Sequence, residues 1–74
     1  MIKINWQEYK EFKKSIHIHG DNFDVLLAFL KSYYNITSPT NMYDILCGDE
    51  LALMMLKKRD ISDAQSLETY IFKR

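Results

Sequence analysis

The feature that most constrains this chain is the run DNFDVLLAFLKSYY at residues 21–34. At about 100° per residue, Phe23, Leu26, Leu27, Leu30, Tyr33 and Tyr34 fall on one helical face. Val25 and Phe29 widen that face on one side, and Asp24, Ala28, Lys31 and Ser32 fall in the opposite sector. An apolar arc of about half the circumference exceeds that of an ordinary surface helix, so neighbours must cover it on more than one side. Gly20-Asp21-Asn22 signals its start, because either polar side chain can accept from free backbone N–H groups. Asp24 suits the positive end of the helix dipole. Asn35, which tolerates the left-handed conformation, signals its end. The expectation is a central helix over 22–34 on which the other segments pack.

Those segments read as further short helices. Asn5-Trp6-Gln7-Glu8 has the pattern of a capping box, and Trp6, Tyr9, Phe12 and Ile16 then share a side, which predicts a helix over 6–16. Ser38-Pro39 reads as cap and first helical residue, with Met42, Ile45 and Leu46 inward over 39–47. Gly48 is expected to end that helix with a positive φ. Asp49 caps a helix over 50–59, closed by Lys57, Lys58 and Arg59. Ser62 with Gln65 marks another capping box, before a helix over 63–73 with Ala64, Leu67, Tyr70 and Ile71 inward and Phe72 off the stripe. The fold expected is therefore all-α, a compact array of about five short helices in a single domain, 1–74. The alternative is α+β, because MIKIN and SIHIH alternate apolar and polar residues and can be read as short strands at 1–4 and 15–19.

Composition narrows the function classes. Ten basic and ten acidic residues cancel, which argues against a dedicated nucleic-acid binder. The charge is unevenly placed. Residues 1–20 carry net +2, residues 21–55 net −4 and residues 56–74 net +2. The apolar runs are far shorter than the roughly 20 residues that span a bilayer, so no membrane association is expected. A single cysteine, Cys47, with no signal-peptide pattern leads to the expectation of a reducing, cytoplasmic setting. Ile, Lys, Asn, Tyr and Phe are plentiful while Gly, Pro and Ala are few, a composition in keeping with an AT-rich genome such as that of a low-GC bacterium or its phage.

Catalytic and metal chemistry find little support. His17 and His19 would share one face of a strand, yet two imidazoles fall short of a zinc site. Cys47 stands near a helix C-terminus, where the dipole raises a thiol pKa, and no catalytic signature surrounds it. We therefore expect no enzyme, no cofactor and no metal.

The suggestive segment is the fourth helix. Leu51, Met54 and Met55 make one stripe and Leu53 and Leu56 another. Both stripes can hardly be covered on a peripheral helix of so short a chain, so either this helix is buried on two sides in the domain's own core or part of it is exposed, and an exposed Leu/Met patch marks a protein interface. The candidate interface residues are Leu53, Met54, Met55 and Leu56, with Lys10, Lys13 and Lys14 on the first helix as a second surface for an acidic partner. The expected function is a small protein-binding module, a regulator or inhibitor of phage or mobile-element type that occupies a surface of a larger protein. A homodimer through residues 50–56 is compatible with it. The alternative is a DNA- or RNA-binding regulator with a degenerate helix-turn-helix at 40–59, in which Lys57, Lys58 and Arg59 meet phosphate. Against it, the would-be recognition helix opens Glu50-Leu51-Ala52 and offers almost nothing to read base edges.

Overall fold

A computed structural model describes residues 2–17 and 20–73. Five helices follow one another: α1 (Trp6–Ser15), α2 (Asn22–Tyr33), α3 (Pro39–Cys47), α4 (Glu50–Lys58) and α5 (Ala64–Phe72). The fold is all-α. No strand forms among the described residues: Ile2–Ile4 pairs with nothing as a sheet, and Ser15 belongs to α1. Ile18 and His19, on which the second strand would rest, lie outside the described residues, as does Met1.

Each helix begins where a polar side chain takes up its free N–H groups. Asn5 Oδ1 accepts from the N–H groups of Gln7 and Glu8, both at 3.1 Å. The capping box expected from Glu8 does not form. The Asn5 N–H donates to the Tyr34 hydroxyl instead (3.1 Å), and Glu8 accepts from Tyr33. At α2 the box is complete: Asp21 accepts from the N–H groups of Phe23 and Asp24, and Asp24 accepts from the Asp21 N–H. Ser38 caps α3 and Asp49 caps α4. The box on α5 is Asp63 with Ser66, one residue beyond the Ser62–Gln65 pairing that the sequence suggested.

The ends follow the same logic with one correction. Asn35 (φ 58°) turns the chain after α2 so that the Ile36 N–H returns to the Leu30 carbonyl (3.2 Å), and Asp60 (φ 56°) does the same after α4, sending the Ile61 N–H to Leu56 (3.0 Å). Both motifs fold a buried isoleucine under the helix that they close. Gly48 was the residue expected at positive φ, yet it sits at φ −80° and ends α3 through shared hydrogen bonds to Asp44, Ile45 and Leu46. The glycine whose conformation matters is Gly20 (φ 147°): a Cβ there would collide with the Asp24 carboxylate.

The core forms around α2. Phe23, Leu26, Phe29 and Leu30 are fully buried, joined by Leu46 of α3, Leu56 of α4 and Leu67 of α5. Phe29 is ringed by Tyr9, Phe12, Tyr33 and Tyr34, with centroids 5.0–5.7 Å away. Backbones approach most closely between α3 and α5 and between α3 and α4, while bulky side chains hold α2 at the centre.

Polar ties lock the helices to one another. All five tyrosine hydroxyls find protein partners: Tyr9 donates to the Asn22 carbonyl, Tyr33 to Glu8, Tyr34 to the Lys3 carbonyl, Tyr43 to the Ser62 carbonyl and Tyr70 to Asp24. Burial, then the charge of Asp21, raises the Tyr9 pKa. Asp24, assigned to the polar sector by its spacing, is in fact buried. Its two oxygens take the Tyr70 hydroxyl (2.9 Å) and the Asp21 N–H (3.0 Å).

Two stability measurements follow. Leu56→Ala removes a fully buried side chain and is expected to cost about 2–5 kcal/mol in urea unfolding, whereas Met54→Ala, on the solvent side of the same helix, should stay within about 0.5 kcal/mol. The Asp63 carboxyl is held below its usual pKa, first by the backbone N–H of Ser66 and then by its hydroxyl. Its contribution is present above the unfolded-state value near 3.8 and is lost as pH falls through the lower folded value. Asp63→Asn keeps a cap without the charge, so the melting temperatures of wild type and variant should converge below about pH 4. A gap unchanged with pH would contradict this cap's ionic character.

Candidate interaction surface

The direction that α4 presents to solvent is set by which of its residues the core accepts. Ala52 and Leu56, one turn apart, are both fully buried. On a helix they lie within about 20° of the direction opposite Met54. Met54 therefore points straight out, at 57% exposure, with Leu51 beside it at 56%. Leu53 and Met55 lie on the two flanks and are half-buried against the core. Of the candidate interface residues, Met54 is thus on the surface and Leu53 and Met55 are on its edges. Leu56 is a correction: its side chain belongs to the core and presents nothing to a partner.

The exposed face continues past the start of α4. A cleft of about 390 Å³ is lined by Ile2, Ile4, Trp6, Ile45, Asp49 and Leu51, among others. Ile4 is buried at its base, and Ile2 stands at its rim at 42% exposure. Asp49 holds the cleft in shape with both carboxylate oxygens. One caps α4 by accepting from the Ala52 N–H (3.0 Å), and the other accepts the Trp6 indole N–H (2.8 Å). Ile2 and Leu51 are thus large apolar side chains left in water around the junction of α1, α3 and α4, and Met54 follows Leu51 one turn along α4. In the sequence the alternation of Ile2 with Ile4 gave a strand signal and none of an apolar rim. The Trp6–Asp49 tie, between residues 43 positions apart, had no signal there.

The lysines of α1 form a separate surface. Lys10, Lys13 and Lys14 are all exposed. Lys13 donates to Asn22 Oδ1 (2.6 Å), and Lys14 sits 3.9 Å from Glu11 in an exposed ion pair of small energetic weight. None of them adjoins the α4 face.

The three cations of the nucleic-acid alternative are placed differently. Lys57 and Lys58 are exposed, but Arg59 turns back onto the fold. Its guanidinium pairs with Asp21, donates to the Met55 carbonyl (3.0 Å) and lies 4.7 Å from the centroid of the Phe23 ring. A guanidinium engaged by a carboxylate, a carbonyl and an aromatic face is a structural tie within the fold.

The residues weighed for catalysis are scattered. His17 is exposed and His19 lies outside the described residues. Cys47 is half-buried. Tyr43 lies beside it, and hydrogen bonding with the Cys47 thiol is the chief cause that raises the Tyr43 pKa. Among the described residues, no three His, Cys, Asp or Glu side chains converge as metal ligands, and no helix is long and apolar enough to cross a membrane. No protein-family model, curated protein or solved structure matches the chain.

Arg59→Ala is accordingly expected to lower stability by about 1–2 kcal/mol, while Lys57→Ala and Lys58→Ala stay within about 0.5 kcal/mol. Chemical denaturation of the three variants checks the division. Equal effects would mean that Arg59 is an ordinary surface cation.

Proposed function

We propose that this chain is a small protein-binding module that docks through the outer face of α4 and the adjoining cleft. The observation that carries the reading is the pairing of Leu51 and Met54, both more than half exposed, on a helix whose opposite side is fully buried. Leaving two large apolar side chains more than half in water forgoes about 1–2 kcal/mol of burial for each. A partner that covers them recovers that energy, and an unbranched thioether adapts its shape to the surface it meets. Around them stand Glu50, Lys57 and Lys58, a charged rim of the kind that borders an apolar interface core. In this reading the module acts as a regulator or inhibitor by occupying a surface of a larger protein.

The test is affinity capture with wild type and with Leu51→Asp/Met54→Asp side by side. Both positions are exposed, so the double variant should keep its helical circular dichroism and its unfolding midpoint. It should lose whatever protein the wild type retains after nuclease and high salt. Retention of the same partner by a folded double variant would refute the docking face. Capture that disappears with nuclease or salt alone would favour nucleic acid, with a salt slope set by the number of phosphate contacts.

A further inference from the structure

The outer face of α4 is complementary to itself. Its exposed residues are Glu50, Leu51, Met54, Lys57 and Lys58. All lie within about 60° of Met54 around the helix axis at 100° per residue. Their positions are symmetric about that residue, and the outer pair, Glu50 and Lys58, is opposite in charge. Glu50 and Lys58 stand four residues to either side of Met54, and Leu51 and Lys57 stand three. Among the described residues none forms an ion pair with Glu50, Lys57 or Lys58, so these charges are not consumed within the chain.

We infer that a second copy of this chain covers the face, with the two α4 helices antiparallel about a twofold axis through Met54. Such an axis lays Met54 on Met54. At each end it sets Glu50 of one copy level with Lys57 and Lys58 of the other. Leu51 then packs on the aliphatic stem of the opposing Lys58, whose ammonium reaches past it toward the neighbouring Glu50. A parallel pairing would instead set Glu50 against Glu50 and the lysines against one another, so charge selects the antiparallel register. The inference rests on the reading of this face as a protein-docking surface and names its occupant.

Size sets the strength. A nine-residue helix is about 13 Å long and falls short of the roughly 800 Å² per partner of a standard interface. The Ile2 rim of the cleft, beside Leu51, extends the contact. The expected assembly is a dimer of micromolar affinity, weakened by salt, and a larger partner would compete for the same residues.

Charge exchange gives the test, read by sedimentation equilibrium of the full chain. Wild type should shift from monomer to dimer as its concentration rises through the micromolar range. Glu50→Lys alone puts lysine against lysine at both ends, and Lys58→Glu alone leaves two glutamates facing each other. Each should weaken self-association roughly tenfold or more. An equimolar mixture of the two variants restores opposite charges at both ends and should form a heterodimer at least as strong as the wild-type dimer. The mixture also controls for folding, because an unfolded variant cannot be rescued by its complement. Wild type that stays monomeric up to millimolar concentration overturns the second-copy proposal. The docking reading survives that result if Leu51→Asp/Met54→Asp still abolishes capture of another protein, and falls with it if capture is unaffected. A wild-type dimer that neither single variant weakens, or a mixture that is not rescued, overturns the antiparallel register.

Discussion

The first turn of α2 is the point on which the rest of the structure depends. Within four residues it gathers attachments from α1, α4 and α5. Tyr9 donates to the Asn22 carbonyl, Arg59 pairs with Asp21, and Tyr70 donates to Asp24. The chemistry is that of a helix N-terminus, where free N–H groups and the dipole favour carboxylates. Asp21 and Asp24 supply those carboxylates and cap each other's backbone. Burying Asp24 would be costly if it stood alone, and its hydrogen bonds from Tyr70 and from the Asp21 N–H remove that cost. The same turn places Phe23 against both the Arg59 guanidinium and the Tyr70 ring. A polar knot and an apolar anchor thus share one turn, and they fix where α4 ends and how α5 lies.

That knot explains why α4 shows the face it does. Arg59, just beyond its C-terminus, is tied to Asp21, and Asp49 at its N-terminus is tied to Trp6. A helix held at both ends cannot roll about its axis. Ala52 and Leu56 face the core, Ala52 allowing close approach, and Leu51 and Met54 face water. The exposed face is therefore a fixed and preformed surface, which reduces the ordering cost of covering it.

Much of this was legible in the sequence. The stripe on the central helix, Asn35 at its end, Pro39 and the caps Asn5, Asp21, Ser38 and Asp49 each rest on local chemistry. The misreadings share a cause. Asp24 and Arg59 looked like ordinary surface charges because their partners come from other helices. Gly48 keeps a negative φ while Asp60 takes a positive one, because a helix end depends on the path of the next segment as well as on the residue. Leu56 was grouped with the exposed leucines and methionines because Ala52 was not counted as core. Yet Glu50, Lys57 and Lys58 fall on the Met54 side of α4, and that polar arc already marked the outward direction. The Trp6–Asp49 tie and the Ile2 rim of the cleft emerge only when α1, α3 and α4 meet.

The outer face of α4 is the surface proposed to make protein contacts. Site-specific photocrosslinking in living cells tests that proposal most directly, with a benzophenone side chain placed at Met54 or, as a control, at Glu68 on the exposed side of α5. Neither position is part of the core, so both substituted chains should fold. The account predicts discrete adducts from position 54, including one at twice the 8.8 kDa of the chain, and none from position 68. Adducts of equal yield from both positions, or from position 68 alone, would contradict it.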